Sequence, residues 1–238
     1  MGYIIACVVS FIPILIMFWW LRNKATGEEA FKKVCDEALK QGALSVFPVI
    51  LGSLVTSIIT RLFGLQESNP LLYRAIRMFI VIALVEELSK YFAFRKVLKN
   101  SDYKCSWIDM AILMTIVGAG FGLPETLLYM LDASVPVVLI RGICLPHAGY
   151  GFIIGYFHGK AIRKDNSFYK VFGFAIAWLM HGLYDFSLSE EFIAINDNLV
   201  FVPFILAFLD IVLVIWLIIF VKKKRKLPEY TEKLTYDK

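Results

Sequence analysis

The chain is poor in the residues and motifs on which many familiar catalysts are built. Its four cysteines, Cys7, Cys35, Cys105 and Cys144, stand singly, with no CxxC pair and no C-terminal CaaX box, so no disulfide framework, cysteine zinc site or prenylation is indicated. There is no HExxH helix, which removes the common zinc-helix proteases. No serine–histidine–aspartate set on a nucleophile elbow is visible either, so a covalent serine intermediate is not indicated. Internal repeats and low-complexity tracts are absent. The first apolar segment, 3–21, lacks the basic start and the small-residue cleavage site of a signal peptide. With Trp19 and Trp20 placed as interfacial anchors before Arg22, it reads as a retained helix.

Hydrocarbon is what the chain has in excess. Hydrophobic residues make up 59% of 238 and the mean hydropathy is +0.69, against roughly 45 to 50% apolar residues in an ordinary soluble domain. The reading is an all-α polytopic membrane protein, one domain over 1–238. Seven segments approach the ~20 apolar residues that a span needs: 3–21, 43–63, 71–94, 108–131, 137–158, 171–188 and 199–221. With the N-terminus outside, the inner segments 22–42, 95–107, 159–170 and 222–238 carry 5, 4, 4 and 7 Lys or Arg, and the outer loops carry none. That bias places the N-terminus outside and the C-terminus in the cytoplasm of a cell membrane. The run Lys222 to Lys226 (KKKRK) directly follows an apolar span, so it reads as an anchor on anionic lipid and not as a nucleic-acid patch. Within 22–42, Thr26 and Glu29 fit a capping box, and Phe31, Val34, Cys35, Ala38 and Leu39 share one face, which describes a short amphipathic helix on the inner membrane surface.

Against this apolar background the ionisable residues stand out. Glu86 and Glu87 lie side by side inside the apolar run 78–94, and Glu125, Arg141, His147, His181 and Asp185 also fall within long apolar segments. At roughly 2.5 to 3.5 kcal/mol for a charge at a helix centre, such a set would cost on the order of 15 kcal/mol facing lipid, comparable with the stability of a whole domain. These groups must therefore face one another or water. In Glu86-Glu87-Leu88-Ser89-Lys90, helical spacing brings Lys90 within reach of both acids, so one carboxylate can be held by the ammonium while the other is left for proton transfer. Glu125 follows Pro124 on a segment where Gly118, Gly120 and Gly122 permit close helix approach. His147 follows Pro146 and lies little more than one turn beyond Arg141. His181 and Asp185 stand at i, i+4, so the acid can orient the ring for oxyanion stabilisation or serve as the outer partner of a metal-bound histidine. His158 reads as interfacial. Each group also has a structural reading, as a helix-gluing ion pair or hydrogen bond. Measured along their spans, Glu86 and His147 lie about 15 Å deep and Glu125 and His181 about 10 Å deep, which favours a shared, outward-opening cavity.

In order and spacing, the motifs EELSK (86–90), GFGLPETLLY (120–129), PHAGYGFIIGY (146–156) and HGLYDF (181–186) resemble those of the PrsW intramembrane proteases, a family within the larger group of CAAX-prenyl and bacteriocin-processing proteases. The resemblance covers about residues 70–190. It implies proteolysis of a single-span membrane regulator, typically an anti-sigma factor cut near the outer face as the first step of its release. Carried over residue by residue, it implies Glu86 as the water-activating base and His181 with Asp185 as the oxyanion site. The CAAX-type pattern has histidine where this chain has Glu125, and arginine near the position of Lys90. His147 is then a candidate for the missing imidazole.

The expectation is therefore an intramembrane endopeptidase, glutamic-type or metal-dependent. Its catalytic residues are Glu86, Glu87, Glu125, His147, His181 and Asp185, supported by Lys90 and Arg141. No cofactor is required on this reading, with zinc left open and Glu125, His147 and His181 as its candidate ligands. The expected partners are a single-span protein and the bilayer, with no nucleic acid. The alternative is an ion-coupled transporter or channel that uses the acids as a proton relay. Such proteins are usually built from two repeated halves, which this sequence does not show.

Overall fold

The computed structural model describes residues 2–24, 28–62, 68–129, 131 and 134–234. Among the described residues there are helices and a single isolated bridge, Ser106 with Lys233. In chain order the α-helices are α1 (Gly2–Lys24), α2 (Glu29–Leu44), α3 (Val46–Leu62), α4 (Pro70–Ile76), α5 (Val85–Asn100), α6 (Trp107–Tyr129), α7 (Val135–Cys144), α8 (Pro146–Arg163), α9 (Phe168–Ser187), α10 (Glu190–Ile193), α11 (Val202–Lys224) and α12 (Pro228–Thr231). Between α4 and α5, Arg77–Leu84 continues the same rod as π-helix. A 3₁₀ turn, Asp197–Phe201, leads into α11.

The centre of the bundle is α6. Ser106 and Asp109 start it with reciprocal bonds: the Ser106 amide donates to Asp109 Oδ2 at 2.8 Å, and the Asp109 amide donates to Ser106 Oγ at 3.3 Å. This is a capping box that satisfies two of the otherwise orphaned donors of the first turn. Beyond it the helix is apolar on all sides, and every residue from Trp107 to Gly122 is buried, as expected of a core helix without a solvent face. Helices α1, α2, α5 and α8 pack around it.

Among the described residues, four helices are long and apolar enough to cross a membrane: Ile4–Asn23, Glu29–Thr60, Trp107–Tyr129 and Asp197–Lys224. The seven spans expected from the sequence are met by four on this criterion, and the reasons are local. The rod 70–100 carries Arg74, Arg77, Glu86, Glu87 and Lys90 within its apolar stretch. The expected span 137–158 is two helices, because Leu145 takes a left-handed conformation (φ 53°, ψ 44°) between α7 and α8. Pro146, at the first position of α8, has no amide to donate and disfavours helical geometry in the residue before it. A non-glycine residue there costs about 1 to 2 kcal/mol, and the strain sits one peptide away from Pro146-His147.

The amphipathic helix also differs from its expected setting. Its apolar face, Phe31, Val34, Cys35 and Ala38, is buried in the hydrophobic core with α6 and does not lie on a membrane surface. It begins at Glu29 after Glu28, while Thr26, the expected cap, lies outside the described residues. The basic tail folds back as well. Tyr230 stacks on Trp107 with ring centroids 4.5 Å apart, and the Leu234 amide donates to the Cys105 carbonyl. Lys233 reaches the Tyr103 hydroxyl and Asp109.

Close approach of α8 to α6 positions the site. The Gly118 Cα lies against the His147 carbonyl so tightly that a Cβ would overlap the backbone oxygen, whereas a Cβ on Gly122 would meet His147 Cδ2 at an ordinary 3.6 Å. Gly118→Ala is therefore expected to destabilise the bundle by about 1 to 3 kcal/mol, the usual cost of overpacking, and Gly122→Ala to be nearly neutral. Thermal unfolding of both variants in detergent measures this. Equal midpoints would show that the two helices do not pack as described.

Candidate active site

Seven ionisable side chains that the sequence spreads over a hundred residues come together at the centre of this bundle. Glu86, Glu87 and Lys90 come from the first turns of α5, Glu125 from α6, His147 from the first turn of α8, and His181 and Asp185 from α9. All are buried, Glu87 and Lys90 completely. Among the expected residues, only the Arg141 side chain lies outside what the structure describes.

Lys90 is the hub on one side. Its ammonium donates to Glu87 Oε1 at 2.6 Å and to His147 Nδ1 at 3.1 Å, lies 3.8 Å from Glu86 Oε2, and sits 4.5 Å above the Phe121 ring. The opposite nitrogen of His147, Nε2, bonds Glu125 Oε2. Because the Lys90 ammonium can only donate, His147 Nδ1 accepts, and Nε2 carries the proton given to Glu125. The pairing with Glu125 follows from α6 itself: Gly118, Gly122 and Glu125 lie at i, i+4 and i+7, on the face against which His147 packs.

His181 is held from the other side. Its Nδ1 donates to Glu87 Oε1 at 2.8 Å, and its ring stacks on Tyr150 with centroids 5.2 Å apart and planes 22° from parallel. Its Nε2 faces Glu86 Oε2 at 3.6 Å and Asp185 Oδ2 at 3.2 Å. Both contacts are close enough for electrostatic attraction, but neither is aligned as a hydrogen bond, and His181 Nε2, Glu86 Oε2 and Glu87 Oε2 are buried with no hydrogen-bond partner among the described residues. A buried polar atom left unpaired costs roughly 1 to 3 kcal/mol, more if charged, so three in one place give the cluster a strong capacity to hold water or a polar ligand. The i, i+3 and i, i+4 relations read from the sequence for Lys90 and for His181 with Asp185 are present as contacts.

The π-helical turns Arg77–Leu84 end immediately before Glu86. This wider, rarer helix form occurs mostly at functional sites. It is tied to α9, because Trp178 Nε1 donates to the Phe79 carbonyl at 2.6 Å and Gly182 packs on the Phe79 ring. No residue pattern in 77–84 announces it.

Two participants escaped the sequence reading. Tyr150, fully buried against His181, donates its hydroxyl to Asp210 Oδ2 at 3.3 Å. Asp210 is a buried acid in α11, the most apolar of the four long helices. The signal was available: an acid in an apolar span, the same criterion that singled out Glu86. His158, interfacial by its place in the sequence, is fully buried, with Nδ1 3.1 Å from the Tyr91 hydroxyl and the Phe94 ring at its edge. Those aromatic residues cover it one and two turns beyond Glu87.

The grouping with metal-ligand character is Glu86, His147 and His181, one ligand atom of each lying within 4.8 Å of the others. Two histidines and a glutamate are the donor set of several catalytic zinc sites. Glu86 takes the place that the sequence reading offered to Glu125, which here bonds the histidine from behind.

The family model described as PrsW family intramembrane metalloprotease matches residues 37–217. A protein named Protease PrsW from Oceanobacillus iheyensis is 28% identical over 156 residues, covering 63% of this chain and 67% of that protein. Its counterpart in Halalkalibacterium halodurans is 32% identical over 205 residues, covering 81% and 85%, and the one in Clostridioides difficile is 25% identical over 198 residues, covering 77% and 79%. No solved structure matches the chain. The match spans every helix that contributes a residue to the buried acid–histidine cluster, and the chain belongs to the PrsW family of intramembrane proteases.

Proposed function

We propose that this protein hydrolyses a peptide bond of a single-span membrane protein, a membrane-anchored regulator such as an anti-sigma factor, in or beside its outer juxtamembrane segment. The observation that carries the reading is the facing pair of unpartnered buried atoms, Glu86 Oε2 and His181 Nε2, at 3.6 Å. A water bound against that pair gives its proton to a carboxylate as it attacks the peptide carbonyl. Glu87 has a different task. It spends one oxygen on both Lys90 and His181 and so holds the ammonium and the ring in place. Asp185 attracts His181 from the next turn, and the pair faces the oxygen on which negative charge develops. The leaving amine recovers the proton from the same carboxylate.

The residues also fit the metal dependence that the family's description states. Glu86, His147 and His181 would hold it, and a bound zinc-type ion would polarise the carbonyl and acidify its water. His181 already has the required outer contact, since Nδ1 donates to Glu87 and leaves Nε2 for an ion. His147 would exchange its Lys90 contact for the ion. With Glu86 so engaged, Glu87 Oε2 is the remaining unpartnered carboxylate oxygen for the proton.

The positive-inside bias supports an outward-opening site, and a cavity runs from Asp185 to Ser189 and Glu190, in a stretch that bias assigns to the outside. The test joins cleavage to topology. Purified protein is incubated with candidate single-span regulators beside a Glu86→Gln control, and the fragments are weighed; the expected cut removes the outer part first. In a cysteine-free background, Asp185→Cys and Glu190→Cys should react with an impermeant thiol reagent added from outside. Labelling only from the cytoplasmic side, or fragments cut on that side, would overturn the orientation.

A further inference from the structure

Beside the catalytic cluster lies a cavity of about 480 Å³, bounded by the π-helical turns on one side and by the end of α9 on the other. It exceeds the cavity of about 170 Å³ at the opposite end of α6 and falls in the ~300 to 1,000 Å³ range of ligand sites. Asp185, which contacts His181, is part of its lining, so the space adjoins the site. Met78, Ile82 and Leu188 supply apolar wall, and Tyr129 closes the side towards α6. At the far end Arg74 joins α4 to α10 through two 2.9 Å bonds to Glu191. The two walls run antiparallel, with Gly182 against Phe79 and Glu191 against Arg74. The cavity therefore extends from Asp185 along both walls towards that ion pair.

We infer that this cavity receives the bulky apolar side chains of the substrate segment next to the scissile bond, and that Met78, Ile82 and Leu188 set that preference. The inference rests on the proteolytic reading and adds the substrate class to it: a leucine- or phenylalanine-rich stretch at the edge of a span. The π-helical stretch supplies two of these three wall residues. Met78 and Ile82, about one turn apart, share the cavity side while Ile80 is turned outward and about half exposed. An apolar wall ending in charge suits a segment that passes from hydrocarbon to water. A pocket of this kind discriminates by size, and a single methylene is worth about 10- to 200-fold in selectivity.

The test uses the full chain in detergent and synthetic single-span peptides with alanine, leucine or phenylalanine in turn at each outer juxtamembrane position. Ile82→Trp fills the cavity, and Ile80→Trp adds the same bulk to the outward face. The expected result is that Ile82→Trp lowers kcat/KM for the leucine and phenylalanine peptides about tenfold or more relative to the alanine peptide, while Ile80→Trp leaves the ratio unchanged. Equal effects on all peptides, or an unchanged ratio with Ile82→Trp, would overturn the assignment. A second arm needs no turnover. A photo-leucine peptide is irradiated with the Glu86→Gln protein, and the labelled residues are mapped by mass. Label on Met78, Ile82 or Leu188 that is lost with Ile82→Trp supports the pocket even if no peptide is cut, an outcome that would count against proteolysis alone. Label elsewhere, while the wild type cleaves, refutes the pocket and leaves proteolysis standing.

Discussion

Glu86→Gln is expected to lower cleavage of a single-span substrate by about 10²-fold or more, whether its carboxylate takes the proton or holds an ion, with folded protein still present in the membrane. Glu86 makes no hydrogen bond through Oε2, and its nearest charged neighbours, the Lys90 ammonium at 3.8 Å and His181 at 3.6 Å, have other partners. An amide there removes the reactive oxygen at little structural cost. Glu87→Gln is expected to behave differently. Glu87 accepts from Lys90 at 2.6 Å and from His181 at 2.8 Å, and all three side chains are buried. Its removal leaves an ammonium inside the bundle without its closest counter-charge. Breaking such a pair costs about 3 to 5 kcal/mol, so this variant should lose stability together with activity. A Lys90→Met change made with it should recover part of the fold and none of the turnover. Thermal unfolding in detergent and cleavage rates on the same preparations separate the cases. Near-normal turnover in Glu86→Gln would remove the assigned role. Wild-type stability in Glu87→Gln would show that Lys90 does not depend on it.

Withdrawal of metal is the second large effect. Protein dialysed against a strong chelator should lose all measurable cleavage, and one equivalent of zinc should restore it. Metal content gives a readout that does not pass through activity. Purified wild type is expected to carry about one zinc per chain, and His181→Ala and Glu86→Gln to lose most of it, because each removes one of three donors. Glu125→Gln should only weaken retention, since Glu125 bonds His147 from behind; changes of this kind typically cost 10- to 100-fold in affinity. Full cleavage by metal-free protein would return the site to carboxylates and histidines alone, the reading that the sequence favoured before the donor grouping was visible.

Much of the site was legible because intramembrane charge is so costly. Glu86, Glu87, Glu125, His147, His181 and Asp185 could each be picked out as a polar residue in an apolar run, and helical spacing alone paired Lys90 with the acids and Asp185 with His181. The same rule applied to Asp210 would have found it; without Tyr150 as its partner, nothing tied it to the motifs. The helical ends were harder. Leu145 has no special chemistry, and its left-handed backbone becomes necessary only once Pro146 must start a helix that packs on α6. The apolar face of α2 reads identically whether lipid headgroups or α6 cover it, since hydrophobic periodicity records that a face is buried and not by what.

The sequence by itself determined that this is a helical membrane protein, that its ionisable residues must meet away from lipid, and which residues those are. These conclusions follow from transfer energies and helical periodicity, which depend on residue type and spacing along one element. Only the tertiary structure decided which partners each carboxylate has. Glu86 and Glu87 are equivalent in the sequence, and they differ in space because Lys90 and His181 both approach the same oxygen of Glu87 and leave Glu86 Oε2 unpaired. Likewise, the pairing of Glu125 with His147 and the cavity between the π-helical turns and α9 arise from contacts between elements far apart in the chain. Periodicity assigns a residue to a face of its own helix. Which atoms remain without a partner depends on how those faces pack together.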